Sequence, residues 1–459
     1  MIKRILCLLL LCALLLSGCG TGREAETAAA SSAIVTSATA EAAEPQSEPP
    51  AEPPAETETE APFETPTDRE AAIALFEGEP YEYTPLEREP EQPAESLPPA
   101  RYSLGADGVW RSDRAGDGRA VLLLTGDLMC QTLQQQAART ASGYDFRRSF
   151  DFVRPIFARA DFVVGNLEAV LSEHAPYMSE QKEVEERPHL NAPASFLEGL
   201  RWAGFDAVVM SNNHNCDAGA RGIYDTLDRV DEYGLMHTGL FRSERESRWT
   251  LAEVDGIRVG LLSYATYFNR KQQHLSPEGQ ELLLNRYSAQ RAREDIARLR
   301  EAGAEFVIVY VHWGKEYTNE PNEKQTAIAL ELAEAGADFI VGSHPHALQP
   351  YARIACADGR EVPVVYSMGN FVSHQSRKVS KDTLILRLVL KRDKAGNARL
   401  TEQSYIPCEV FSYFQGKDYV VVPVVYPYNL EMSSPEFGPA YRRITAVLGP
   451  ELEALGKPE

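Results

Sequence analysis

From Val121 onward the sequence alternates between short β-branched runs and helical patterns, and this alternation restricts the fold more than any other feature. Such runs are typical of buried strands, and strands that alternate with helices are typical of an α/β fold. The predicted strands are Val121–Thr125, Phe162–Val164, Ala207–Met210, Val259–Tyr264, Phe306–Val311, Phe339–Val341 and Val364–Tyr366. The predicted helices are Ala194–Ala203, Gly222–Tyr233, Ala289–Ala302 and Glu323–Ala335.

The pattern changes after Lys381. Thr383–Lys391 and Ala398–Ile406 alternate in polarity around a turn at Lys394–Asn397, which predicts a β-hairpin. Val420–Tyr426 is a further apolar run without a helical partner. We therefore predict an α/β domain that ends in antiparallel strands.

Polar residues with metal-ligand chemistry recur where the predicted strands end. Since the carboxyl ends of parallel strands meet at one edge of a sheet, we expect these side chains to converge. Carboxylate, amide and imidazole ligands without thiolates suit Mn, Fe or Zn. The residues are Asp127, Glu168, Asn213, His214, Asp217, His312, His344 and His346.

Each motif also has a purely structural interpretation when taken alone. Gly126-Asp127 has the composition of a turn, and the Asn212-Asn213-His214 amides are suited to capping the next helix. His344 and His346 are stronger evidence for a site, because alternate residues of an extended chain point to one side. It is the combination along the chain that predicts a functional site.

The order of these motifs resembles the CapA family of bacterial poly-γ-glutamate capsule biosynthesis proteins, in the calcineurin-like metallophosphoesterase superfamily. The resemblance implies a four-layer α/β/β/α sandwich of the metallophosphatase type. It covers about residues 121–373, and the matching stretches are LLLTGDLMCQ, FVVGNLEAVLS, VVMSNNHNCDAG, VYVHWGKEYTNEPNEKQ, ADFIVGSHPHALQP and VVYSMGNFV.

The resemblance also implies roles for individual residues. Asp127 is similar to the first-strand carboxylate ligand, Glu168 to the carboxylate that bridges two metals, and Asn213 to the amide ligand. His312 and His344 are similar to ligands of the second metal, and His346 to a ligand of the first.

The same resemblance makes His214 the residue that donates a proton to the leaving oxygen, with Asp217 orienting it. Glu316, Tyr317 and Asn370 are candidates for substrate binding. For Glu316 the alternative is a solvated loop residue, and for Asn370 a turn residue.

The sequence departs from the phosphoesterase pattern in two places. Met129 stands where those enzymes have an imidazole, and a thioether does not replace imidazole on a hard cation. Glu168 is one methylene longer than the usual Asp. We therefore expect one or two divalent ions rather than a fixed pair.

The N-terminus predicts export. Lys3 and Arg4 precede an apolar run from Ile5 to Leu16, which is typical of a signal peptide and too short to span a bilayer. Leu16-Ser17-Gly18-Cys19 resembles the lipobox of bacterial lipoproteins, which implies a signal peptide over 1–18 and lipidation of Cys19. The expected location is extracytoplasmic, anchored to the cell membrane.

Residues 19–100 are predicted to form a disordered, acidic, Pro-rich tether ahead of a globular domain over 101–459. Between Thr21 and Ala100 there are 19 Asp and Glu, 3 Arg and 13 of the 29 prolines. Such a segment buries too little apolar surface to offset its ordering entropy. A short apolar patch, Ala71–Phe76, is a candidate for a helical turn or for transient docking.

Composition excludes one class of partner and indicates the state of the cysteines. The net charge of −21 argues against nucleic acid, because neutralising phosphates needs clustered cations. Apart from Cys19 and the two cysteines of the signal segment, the cysteines are scattered, and we expect Cys130, Cys216, Cys356 and Cys408 to be buried free thiols.

The sequence therefore predicts an exported lipoprotein with a metal site that acts in the synthesis or export of a capsular or envelope polymer such as poly-γ-glutamate. Its expected partners are the membrane and either the anionic polymer or a membrane-bound polymer synthase. Two roles remain open: a metal-dependent hydrolase that cleaves phosphoester or amide bonds, and a non-catalytic accessory subunit with a degenerate metal centre.

Overall fold

The structure is a computed structural model that describes residues 64–81, 83–89, 91, 97–114, 116–181, 189–430 and 432–457. All of them belong to one compact unit, Phe63–Glu459. The predicted signal peptide and the Cys19 lipidation site lie outside the described residues. Within the described ranges, no helix has both the length and the apolar character needed to cross a bilayer.

The strands follow the predicted alternation and extend beyond it. They are β1 Ser103–Leu104, β2 Val109–Arg111, β3 Arg119–Leu128, β4 Phe162–Leu167, β5 Ala207–Val209, β6 Met236–Thr238, β7 Thr250–Val254, β8 Ile257–Ala265, β9 Phe306–His312, β10 Phe339–Ser343, β11 Leu348–Ala355, β12 Glu361–Met368, β13 Asn370–Val372, β14 Asp382–Arg392, β15 Ala398–Phe414, β16 Lys417–Pro423 and β17 Glu453–Ala454. The α-helices are α1 Arg69–Phe76, α2 Thr132–Ala138, α3 Arg154–Phe157, α4 Ser195–Ala203, α5 Gly219–Glu232, α6 Pro277–Leu282, α7 Ala289–Glu301, α8 Glu323–Glu334 and α9 Phe437–Leu448.

The strands form two sheets. Sheet I has the order β1-β2-β7-β8-β9-β10-β12-β11, and β8, β9, β10 and β12 are parallel within it. Sheet II has the order β16-β15-β14-β3-β4-β5-β6, with β3 to β6 parallel and β14 to β16 antiparallel. The predicted C-terminal hairpin is confirmed as β14 and β15.

Alternating side chains of sheet I show how the layers pack. Ile308 and Val341 belong to the same buried cluster as Leu122 and Leu124 of β3, so this face of sheet I packs against sheet II. The alternate residues, such as Val309, pack with the apolar faces of α7 and α8. Since α4 and α5 connect parallel strands of sheet II, they cover its other face. The four-layer α/β/β/α order is thereby confirmed.

The N-terminal segment has a helix at the apolar patch Ala71–Phe76, where a helical turn or transient docking was expected, although the surrounding tether was expected to be disordered to residue 100. Helix α1 begins at an Asp68 cap and buries Ala72, Ile73 and Phe76 completely or nearly so. Its Arg69 contacts Asp225 and Asp228 of α5. We call the described part of residues 64–91 the N-terminal strap. The composition suggested disorder, but one apolar helical face is enough to dock this segment on the domain.

The four cysteines among the described residues are buried and free, as predicted. Burial raises the pKa of the Cys130 thiol well above its ordinary value, which keeps it protonated and unreactive.

Candidate metal centre

Strand ends of both sheets bring the predicted ligand residues together. Sheet II supplies Asp127 on β3, Glu168 directly after β4, and Asn213 and His214 after β5. Sheet I supplies His312 at the end of β9, and His344 and His346 directly after β10. All of these side chains are buried.

Close backbone approach makes this convergence possible. A Cβ on Gly126 would lie only 2.0 Å from the carbonyl oxygen of Gly369, so β13 can lie beside β3 only because residue 126 is glycine. The pairing of β13 with β3 sets Asn370 opposite Asp127.

Glu168 lies at the middle of the cluster. Its Oε1 is 3.7 Å from His312 Nε2, 3.7 Å from His346 Nε2 and 4.0 Å from His214 Nε2. Neither carboxylate oxygen has a hydrogen-bond partner among the described residues. Burial raises the pKa of Glu168 well above its ordinary value, while His346 opposes this rise. The free energy cost of burying such a carboxylate, several kcal/mol after relaxation, calls for a cation or a proton nearby.

The three histidines of sheet I differ in their electrostatics. Burial lowers the pKa of His312 and His344 well below the ordinary value, and neighbouring imidazoles lower it further. For His346, burial acts in the same direction, but Glu168 and Asp127 outweigh it and raise the pKa to about 9. Neutral imidazole is the form that binds metal ions, which suits His312 and His344 directly.

Hydrogen bonds orient the ligand side chains. Asn166 Nδ2 donates to Asp127 Oδ1 over 2.8 Å, and His312 Nδ1 lies 3.0 Å from Ser343 Oγ. His346 Nδ1 lies 2.8 Å from Asn370 Oδ1. Asn370 is fully buried and its amide also donates to Ser373, so its observed role is to orient His346. This differs from the predicted contact with substrate.

His214 and Asp217 form a hydrogen-bonded pair beside the ligands. His214 Nδ1 is 2.8 Å from Asp217 Oδ2, and Lys271 Nζ is 3.0 Å from Asp217 Oδ1. Although burial alone would raise it, His214 and Lys271 hold the pKa of Asp217 below its ordinary value. An ionised Asp217 fixes the imidazole so that its Nε2 is directed toward the Glu168 side.

The loop after β10 is strained at both histidines. His344 and His346 have φ values of 93° and 51°, in the left-handed region that non-glycine residues rarely adopt. Strain of this kind persists where the surrounding structure imposes it, and it is concentrated at functional sites. Here it turns both imidazoles toward Glu168, as the group Glu168, His344 and His346 shows.

Met129 and the rim residues complete the description. Met129 packs with Met178 and Leu190 in a small apolar cluster. Glu316 is exposed, whereas the half-buried Tyr317 ring lies 6.0 Å from the His346 ring. Of the three candidate substrate-binding residues, Glu316 and Tyr317 therefore lie near the cluster, and Asn370 lies beneath it.

Sequence reasoning missed four residues that contact the site. Asn166 and Ser343 lie inside quoted motifs, one or two positions from a ligand residue. Tyr267, whose hydroxyl lies 2.9 Å from His344 Nδ1, and Lys271 follow β8. The strand Val259–Tyr264 was predicted, so the polar residues after its end were a usable signal.

Two overlapping groups of buried residues fit a divalent cation. Glu168, His344 and His346 form one, and Asp127, Glu168 and His312 form the other, with ligand atoms of each group within 4.8 Å of one another. The unpartnered oxygens of Glu168 and the all-N/O ligand set both fit such an ion.

A family model described as "Bacterial capsule synthesis protein PGA_cap" matches residues 121–375. The "PGA biosynthesis protein CapA" of Bacillus subtilis (strain 168) is 30% identical over 260 residues, which cover 55% of this chain and 63% of that protein. The "Capsule biosynthesis protein CapA" of Bacillus anthracis is 29% identical over 283 residues, which cover 60% of this chain and 64% of that protein. Both matches span less than two thirds of the relative's length.

Among solved structures, the calcineurin-like phosphoesterase YfkN from Bacillus subtilis matches 63% of this chain and 90% of its own, with 13% identity and a TM-score of 0.38.

Proposed function

We propose, from the premise that this chain belongs to the PGA_cap family of bacterial capsule synthesis proteins, that it is a metal-dependent hydrolase. Its role is the synthesis or export of an anionic envelope polymer such as poly-γ-glutamate. The names of the two similar Bacillus proteins support the polymer, and the chemistry of the buried cluster supports the hydrolase.

The observation that carries the proposal is the surroundings of Glu168. A buried carboxylate that has three imidazole nitrogens at 3.7–4.0 Å, and no hydrogen-bond donor in the part of the chain that the structure describes, is costly as a structural element. It is favourable as a ligand for Mn, Fe or Zn. The residues that would hold one or two such ions are Asp127, Glu168, Asn213, His312, His344 and His346.

Bound there, a divalent cation supplies Lewis-acid stabilisation of the charge that develops on the group being cleaved. His214 then acts as the general acid that donates its Nε2 proton to the leaving oxygen or nitrogen. Asp217 holds the opposite ring nitrogen, and Lys271 keeps the Asp217 carboxylate ionised.

Met129 supports the second candidate, an accessory subunit that binds polymer or synthase without turnover. Its side chain packs with Met178 and Leu190 at the position where the phosphoesterase pattern has an imidazole. A centre with one ligand fewer would bind metal more weakly and still recognise an anion.

The test is turnover by the metal-loaded full chain on a panel of phosphoesters and γ-linked glutamyl peptides. A His214→Ala variant should lose most of the turnover and keep its metal, since His214 is assigned to proton transfer. His237→Ala is the control, because that histidine pairs with Asp231. If no substrate is cleaved with Mn, Fe or Zn, the accessory role replaces the hydrolase.

The proposal extends to location. The lipobox-like stretch ending at Cys19 supports lipidation and attachment to the outer face of the cell membrane. In cells, a Cys19→Ser variant should move from the membrane fraction to the soluble fraction. Labelled fatty acid should be incorporated only into the chain that retains Cys19. Retention in the membrane without label would contradict lipidation.

A further inference from the structure

A basic loop follows the strand that orients His346. The segment Ser373–Lys381 contains Arg377, Lys378 and Lys381 and no acidic residue, within a chain of net charge −21. Strand β13, which carries Asn370 against Asp127 and His346, ends only five residues before Arg377. The fold therefore brings this positive charge close to the metal-ligand cluster.

Arg377 is connected to that cluster by ring contacts. Its guanidinium carbon lies 4.0 Å from the centroid of the Tyr317 ring, and the Tyr317 ring lies 6.0 Å from the His346 ring. A guanidinium at this distance over an aromatic ring forms a cation–π pair, and a guanidinium held by its face in this way can still use its N–H groups to bind an anion.

Tyr317 is held in place independently of Arg377. Its backbone N–H donates to Pro345 O over 2.7 Å, inside the loop that carries both histidines. Its φ of 62° lies in the left-handed region, which a residue with a Cβ rarely adopts unless the surrounding structure imposes it. Burial raises the pKa of Tyr317 to about 12, so the ring is a neutral platform.

Arg377 and Glu316 both lie close enough to the Tyr317 hydroxyl for their charges to act on it, but the two side chains form no ion pair with each other. Lys378 and Lys381 lie close enough to Asp382 and Glu409 for their charges to interact. Among the described residues, no carboxylate forms an ion pair with Arg377. Its exposed guanidinium matches the paired oxygens of a carboxylate or a phosphate.

We propose that Arg377, stacked on Tyr317, is a substrate-binding residue that pairs with an anionic oxygen pair adjacent to the bond to be cleaved. This inference rests on the proposed function, whose substrate class it narrows to compounds with a carboxylate or phosphate next to that bond. The two sources share one recognition chemistry, and the experiment distinguishes them.

The experiment is calorimetric titration of the full chain, with and without added Mn, using inorganic phosphate and a γ-linked diglutamate as separate probes. Arg377→Gln should weaken binding of the favoured probe about tenfold, the scale of one charge-assisted contact at an exposed site. Arg377→Lys should restore only part of the affinity, because lysine keeps the charge and loses the planar fork.

Lys378→Gln is the matched control, since it removes the adjacent exposed cation and should leave the affinity unchanged. Tyr317→Leu should weaken binding, whereas Tyr317→Phe should not, because the ring alone supports the guanidinium. With a cleavable substrate, Arg377→Gln should raise KM and leave kcat nearly constant.

Equal affinities for Arg377→Gln and the unmodified chain would overturn the inference, as would equal losses for the Arg377 and Lys378 variants. If the chain bound neither phosphate nor γ-linked diglutamate, the inference would also be overturned. If the chain binds no metal but Arg377→Gln still weakens anion binding selectively, the proposed function fails while the binding role of Arg377 holds.

Discussion

The metal-ligand cluster is buried, whereas the N-terminal strap buries only one face of its helix, and different forces set their positions. Strand ends fix the cluster, because β3, β4, β9 and β10 are each held in register by neighbouring strands. The strap has only one short helix, and its order depends on contacts such as Phe76 in the core and Arg69 on α5.

The difference also appears in energetic terms. The Glu168 carboxylate has no hydrogen bond from the described residues, so its burial lowers the stability of the fold, whereas burial of the apolar Phe76 ring raises it. The rest of the fold therefore maintains the cluster at a cost in stability, whereas the strap stabilises the fold and lies outside the cluster.

Phe76→Ala tests the strap with the largest expected effect. Phe76 is fully buried, so its truncation should lower the free energy of unfolding by about 3–5 kcal/mol, measured by chemical denaturation. Leu75→Ala on the same helix is the control, because Leu75 is 40% exposed. Similar stabilities of the two variants would mean that the strap does not dock.

Asn370→Ala tests the cluster from the layer beneath it. Without the contact to Nδ1, His346 loses its fixed orientation, and the metal affinity should fall about ten- to hundredfold. Competition with a chelator measures the affinity. Asn429→Ala, which removes a buried amide bonded to Met432 O, should leave it unchanged. Equal metal affinity in both variants would contradict the role of Asn370 in orienting His346.

Arg69→Ala tests the polar contacts of the strap. Arg69 pairs with Asp225 and Asp228, but its side chain is 36% exposed, so the expected loss in the free energy of unfolding is about 1 kcal/mol. Arg111→Ala, which breaks an exposed pair with Asp107, should cost less. A larger loss for the Arg111 variant would contradict the docking of α1 through Arg69.

The last prediction is a pH dependence of stability that involves neither region. Burial, with a further contribution from Asp382, raises the pKa of Glu409 to about 7 from an ordinary value of 4.5. The folded state therefore favours the protonated form, and its contribution to stability is lost as the pH rises from 4.5 to 7. Glu409→Gln should flatten the unfolding free energy over this window, whereas Glu402→Gln on the same strand should not. An unchanged slope in the Glu409 variant would contradict the assignment.

The sequence predicted the parts of the molecule that strands determine. The predicted strands are confirmed, and the structure brings together the eight residues expected at their ends, because hydrophobic periodicity identifies each strand end. Side-chain contacts between distant segments could not be predicted from the sequence in the same way, because periodicity does not show which side chains meet. Asn370 was assigned to substrate and lies against His346, and Lys271 was overlooked although it contacts Asp217.

The strap was predicted only in part: Ala71–Phe76 was a candidate for a helical turn or transient docking, and the rest of the segment was expected to be disordered. Its Pro and Glu content resembles that of the acidic residues before it, and only Ala72, Ile73 and Phe76 distinguish it. Three apolar residues indicate transient docking, but they do not predict a stable position unless the groove that receives them is known. Tertiary packing thus overrode a compositional prediction.

The central claim is that the cluster around Glu168 binds a divalent metal. The most direct measurement is the metal content of the full chain, purified in buffer containing Mn, Fe and Zn, beside Glu168→Gln and Glu173→Gln variants. Glu173 is the matched control, because it is also a buried glutamate with an unpartnered oxygen, and it belongs to neither ligand group. We predict one or two equivalents in the unmodified chain and in Glu173→Gln, and almost none in Glu168→Gln. Equal metal content in all three proteins, or no metal in any of them, would contradict the account.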